Sequence, residues 1–148
     1  MNTALIILQS FVVLFIALHD WVPLGRLNDI KAVHAADPPG KLIALTVLST
    51  LPFAFRLVES IRFANAHFPF WLMVWLWGSY GVATYGMLAT WWIPYLLVPN
   101  PARTARAQAM FANTHSFLPL RHGMRPNTLH IVLHVVIVSI LILLVKKS

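Results

Sequence analysis

RPNTLHIVLHVVIVSILILLV, residues 125–145, decides the architecture of this chain. From Thr128 onward it contains no Lys, Arg, Asp or Glu. About 20 such residues in a helix rise about 30 Å, the thickness of a bilayer's hydrocarbon. Lipid offers the backbone no hydrogen bonds, so a segment of this kind is expected to be a helix. Yet it opens with two imidazoles, His130 and His134, one turn apart and therefore on one face.

The chain around this stretch has the same character. Hydrophobic residues make up 59% of its 148 residues and charged residues only 10%, where a soluble domain carries about 25% charge. Mean hydropathy is +0.74. This composition excludes an ordinary soluble globule. The absence of cysteine excludes disulfides, thiolate zinc sites and iron–sulfur clusters. The net charge of +7 is scattered near segment ends, which fits lipid headgroups and topology rather than nucleic acid. The N-terminal stretch has no basic leader and no small-residue cleavage site, so it is expected to be a retained first helix.

Working outward from the last segment, three more stretches are long and apolar enough to cross a bilayer. The expected fold is all-α: a single domain over 1–148, a polytopic four-helix transmembrane bundle with spans at about 2–22, 41–59, 70–97 and 126–145. Pro and Gly mark the breaks, as in DPPGK at 37–41 and VPNPAR at 98–103. Pro126 suits a first helical position. The third loop predicts a short interfacial helix over 100–112, capped by Asn100, with Arg103 and Arg106 on one face for phosphates.

Loops one and three carry Arg26, Lys31, Lys41, Arg103, Arg106, Arg121 and Arg125, against Arg56, Arg62, Lys146 and Lys147 elsewhere. The positive-inside rule then puts those two loops in the cytoplasm and both termini outside. In the third span, Gly78, Gly81 and Gly86 are expected to let another helix approach. Trp71, Trp91 and Trp92 are expected in the interfacial belt. In the second, Thr46, Ser49, Arg56 and Glu59 form a stripe that should face other helices, with Glu59 in reach of both Arg56 and Arg62.

Three crossings separate the end of the first span from the start of the fourth, so the two ends share a membrane face. His19 and Asp20 therefore lie on the side of His130 and His134, together with loops one and three. Six of the seven histidines fall on that side; only His67 lies opposite. Burying such groups costs several kcal/mol unless they find partners. Candidate partners are Asp20, another histidine, a metal, water or substrate.

Two imidazoles at i and i+4 present nitrogens to one metal. His130 and His134 are thus candidate metal ligands, with His19 or His115 as a third and an open position left for water. The expected metal is divalent, Zn²⁺ first, with Fe or Cu as redox variants. Asp20 would orient a ligand or move a proton, and Asn113 and Asn127 would hold a substrate carbonyl or headgroup. The HxxxH of His130 and His134, with His19 and Asp20 as earlier partners, resembles the zinc site of the seven-helix alkaline ceramidase and progestin–adiponectin receptor superfamily. That resemblance covers these few residues alone and implies zinc-dependent chemistry on a lipid-like substrate.

Two function classes follow. One is a metal-dependent membrane hydrolase acting on a lipid-like substrate. The other is a small transporter, channel or accessory subunit whose His, Asp and Arg–Glu positions handle protons or ions or pack helices. Either would work in the lipid bilayer as a homo-oligomer or as a subunit of a membrane complex.

Overall fold

The computed structural model describes residues 2–147, and among them the chain is helical with no strand. In order the helices are α1 (Asn2–Leu18), α2 (Ile30–Ala36), α3 (Pro39–Arg62), α4 (Phe70–Met87), α5 (Ile93–Leu96), α6 (Pro101–Phe111) and α7 (Thr128–Val145). A 3₁₀ turn, Gly25–Leu27, precedes α2, and a π-helical turn, Leu88–Trp92, joins α4 to α5.

The long helices pack because each buries a narrow stripe. On α1 the buried residues are Leu5, Gln9, Val12 and Phe15, the three-and-four spacing of one helix face. On α7 they are His134, Ile137, Ile140 and Leu144. α1 lies against α3 and α7, while α4 lies against α7 and α3. Leu72, Leu76 and Tyr80 of α4 complete the core with Leu5, Val12 and Ile140. The outward faces are apolar as well. Leu48, Val82 and Val135 are 69%, 72% and 60% exposed, which in water would be an aggregation surface.

Two helices, α3 and α7, are long and apolar enough to cross a membrane. A third candidate appears if Phe70–Leu96 and Pro101–Phe111, bent by 100°, are taken as one broken span. These helices suggest a membrane protein. α1 is a shorter apolar helix of 17 residues that ends at Leu18, not near 22 as its composition suggests. Its termination follows from Asn28, whose amide donates to the carbonyls of His19 (2.7 Å) and Val22 (2.8 Å) and holds the chain in a turn before Pro23.

Other boundaries depart for identifiable reasons. α3 starts at Pro39, whose missing N–H costs nothing in a first turn, and it runs on through Pro52 to Arg62. α7 starts at Thr128 rather than 126, because Asn127 is its cap and accepts from the His130 N–H at 3.0 Å. The short helix expected over 100–112 forms as α6, capped by Asn100 accepting from the Arg103 N–H. α2 was not anticipated; Asp29 caps it by accepting from Ala32 N–H at 3.0 Å.

The π-helical turn has a cause in Pro94. Proline lacks an N–H and its ring crowds the carbonyl four residues back. Ile93 donates five residues back, to Leu88, so one wide turn absorbs the clash. The glycines of α4 are a further correction. A Cβ on Gly78, Gly81 or Gly86 would meet nothing within 4 Å, so among the described residues no helix packs tightly there. α4 turns its Leu72–Leu76–Tyr80 face inward instead.

Candidate functional site

The end of α1 and the start of α7 do meet. The rings of His19 and His130 lie 6.1 Å apart, edge to face, and His130 is 6.3 Å from His134. Loops one and three pack over this end, with α2 against α6. The ties are specific. His115 N–H donates to the Arg26 carbonyl at 2.6 Å, and its own carbonyl accepts from Thr128 at 2.9 Å. Arg106 and Lys41 both donate to the buried Asp37 carboxylate, Lys41 at 2.7 Å. Lys41, then Arg106, hold that carboxyl below the usual carboxylate range. Asp29 is likewise lowered, first by the Ala32 N–H and then by the Asn113 amide.

Hydrogen-bond logic assigns the protons on the rings. A carbonyl only accepts, so His19, whose Nδ1 is 2.9 Å from the Phe15 carbonyl, carries its proton on Nδ1. Its Nε2 lies 3.3 Å from Asp20 Oδ1. The contact is an ion pair whenever that ring is protonated on both nitrogens. His34 donates from Nε2 to the Asp20 backbone carbonyl at 2.9 Å. Asn127 Oδ1 accepts from the His130 N–H and from His130 Nδ1 at 2.6 Å. His130 thus holds its proton on Nδ1 and presents an Nε2 lone pair, which is the usual arrangement of a ligand or proton-accepting imidazole.

His134 is different. The Trp92 indole N–H, a donor only, points to His134 Nδ1 at 3.1 Å. That nitrogen's lone pair is used, and the proton sits on Nε2. The HxxxH pair is therefore not two equivalent free ligands. His115 is also committed: its Nδ1 is 2.8 Å from the Thr128 hydroxyl, and its backbone clasps the two loops. Among the described residues no three of His, Cys, Asp and Glu are grouped so as to hold a metal ion. His19 and His130 alone do not fit the three-ligand zinc set.

The expected substrate-holding amides have other partners. Asn113 donates to Asp29 at 3.2 Å, tying α2 to the end of α6. Asn127 orients His130, as above. The expected aromatic belt also changes. Trp91 is 6% exposed and packs at 4.5 Å from the His130 ring, with Phe111 at 5.1 Å. The π-helical turn aims Trp91 and Trp92 at α7 instead of at headgroups. Two small cavities flank the rings. One of about 160 Å³ is lined by His19, Asp20, Asp37, Thr46, Ser49 and Arg106 among others. The other, about 220 Å³, opens between α1, α4 and α7 beside Thr90, Trp91, His130 and His134. The first sets His19, Asp20, Asp37 and Arg106 in an otherwise mostly apolar wall and is large enough for several waters at about 30 Å³ each.

Deeper in the bundle, Gln9 and Ser60 hydrogen-bond reciprocally at 3.0 and 3.1 Å, both fully buried. Gln9 was not singled out from the sequence, although a lone amide in an apolar helix demands a partner. Glu59 pairs with Arg62 at 2.9 Å. Arg56 does not join that pair: it donates to the carbonyls of Pro52 and Trp75. Comparison with protein-family models, curated proteins and solved structures finds no match for this chain.

Proposed function

We propose that the chain is a polytopic integral membrane protein, a four-helix transmembrane bundle of α1, α3, α4 with α5, and α7, that binds and relays protons at its histidine end. It would do so as a small transporter or as an accessory subunit of a membrane complex. The observation that carries this reading is the His19–Asp20 pair. The Phe15 carbonyl accepts from His19 Nδ1, which leaves Nε2, 3.3 Å from Asp20, as the ring nitrogen that would gain and lose a proton. The adjoining cavity, which Asp20, Asp37 and Arg106 help to line, has room for water on one side, and the His130 ring stands 6.1 Å from the His19 ring on the other. Membrane-embedded ionisable groups with such partners mark proton paths.

A metal-dependent hydrolase acting on a lipid-like substrate is the competing reading. It is favoured by the Asn127-oriented His130, but it lacks a third ligand among the described residues. The test uses liposomes holding the full chain and an enclosed pH dye. An imposed pH step should drive proton entry, and Asp20→Asn and His19→Gln should each reduce it by at least half. Arg62→Gln, at the far end, should leave it unchanged. Proton entry that is equal in empty vesicles, or untouched by Asp20→Asn, ends the proposal. Stoichiometric zinc in the purified chain, lost in both His130→Ala and His134→Ala, would replace it with the hydrolase.

A further inference from the structure

Away from the histidines, α3 and α4 enclose an open groove of about 640 Å³. Its walls are mostly apolar, Leu48 and Phe53 on one side and Val74 and Val82 on the other, and its floor is opened by Gly78. At one end stands Arg56. Two of its N–H groups serve the Pro52 and Trp75 carbonyls, and its guanidinium lies 5.7 Å from the Trp75 ring. The neighbouring acid, Glu59, is paired with Arg62 instead. Among the described residues Arg56 makes no ion pair, and three of its five N–H groups remain for an acceptor.

Depth and charge both bear on the occupant. Arg56 lies six residues before the end of α3 at Arg62, and Trp75 five residues into α4 from Phe70. At 1.5 Å per residue they are about 9 and 7.5 Å from the helix ends, near the level at which acyl chains give way to headgroups. A cation there, without an acid of its own, is costly unless an anion meets it. A second copy of this chain docked two-fold across the groove would bring a second Arg56 to the same contact, which like charges oppose.

We infer that the α3–α4 groove binds an acidic phospholipid, its phosphate on Arg56 and one acyl chain along Val82 and the open face at Gly78. The Trp75 ring covers the glycerol region, where indoles favour the interface. This site is independent of the proton relay, which lies at the other end of the bundle.

The test is thermal unfolding of the full chain in neutral detergent with added phosphatidylglycerol or phosphatidylcholine of identical acyl chains. Phosphatidylglycerol should raise the midpoint more than phosphatidylcholine, and the increment should saturate. Arg56→Gln should abolish the difference between the two lipids, and Arg56→Lys should retain part of it. Gly78→Leu, whose side chain enters open space, should also abolish it while leaving Arg56 and the fold in place. Arg62→Gln should keep it in full. Equal stabilisation by both lipids overturns the inference, as does an increment that survives both Arg56→Gln and Gly78→Leu. The same increment from inorganic phosphate alone overturns it too. Efficient disulfide crosslinking of two Gly78→Cys chains would make the groove an interface between copies.

Discussion

The two ends of the bundle hold similar residue types in opposite ways. At the histidine end, polar groups bond across elements far apart in sequence: His115 to Arg26, Arg106 to Asp37, Trp92 to His134 and Asn113 to Asp29. At the other end the ion pair is local, Glu59 meeting Arg62 three residues on, and the long-range ties run mainly to main-chain carbonyls or join the chain tips: Arg56 to Trp75, Asn2 to Ala64, and Lys147 to Asn2 at 2.7 Å. At the histidine end these partners fix ring tautomers and positions, whereas the Glu59–Arg62 pair fixes no ring and its Arg62 partner is 69% exposed, so little rests on that guanidinium. The difference between the ends lies in which partners the polar groups meet, ring nitrogens and side chains at the first and mainly main-chain carbonyls at the second, not in the mere count of ionisable groups.

Four substitutions break or sharpen this contrast. Asn127→Ala removes both the cap of α7 and the acceptor that holds His130. It should destabilise by about 2–3 kcal/mol, a cap plus a buried hydrogen bond. In ¹⁵N NMR the His130 ring should lose its preference for the Nδ1–H form; a wild-type ring already protonated on Nε2 would contradict the assignment. Trp92→Phe comes next, at about 1 kcal/mol, the size of hydrogen bonds inside membranes. His134, held as the Nε2–H tautomer in the parent, should then sample both forms. An unchanged His134 spectrum would mean that the indole contact is incidental.

Asp37 gives a pH test. Lys41 and Arg106 depress its carboxyl in the folded chain. Its contribution is therefore present above the unfolded carboxylate range and is lost as pH falls through the lowered folded value. Asp37→Asn should cost about 1 kcal/mol at neutral pH and should flatten the acid side of the stability curve, measured by thermal melts from neutral to acid pH. A variant as acid-sensitive as the parent would count against this tie. Arg62→Gln at the far end should be smallest, about 0.5 kcal/mol in the same melts; a loss above about 2 kcal/mol would erase the contrast between the ends.

Much of this was legible from the residues. Apolar runs predicted the long helices, Asn100 and Pro101 predicted α6, and parity of crossings brought His19 beside His130. The local consequences of Pro94 were harder to read. Its crowding makes a π-helical turn that rotates Trp91 and Trp92 inward, and the same residues in a regular helix suit an interfacial belt. The inequality of His130 and His134 was hidden for a related reason. A tautomer is set by the partner of the other nitrogen, and Asn127 is local in sequence while Trp92 is 42 residues away. Arg56 is a third case: three residues from Glu59, it nonetheless bonds to main-chain carbonyls, leaving the acid to Arg62.

The Gln9–Ser60 couple has a mechanical consequence. Each side chain both donates and accepts a hydrogen bond in that contact. A shift of α1 along α3 by a single residue, about 1.5 Å and 100° of rotation, would forfeit both bonds at once. Sliding is thereby opposed, whereas tilting about that fulcrum can keep both. His19 sits ten residues along the lever, about 15 Å away, so a few degrees of rocking about Gln9 become an ångström or so of travel where His19 meets Asp20.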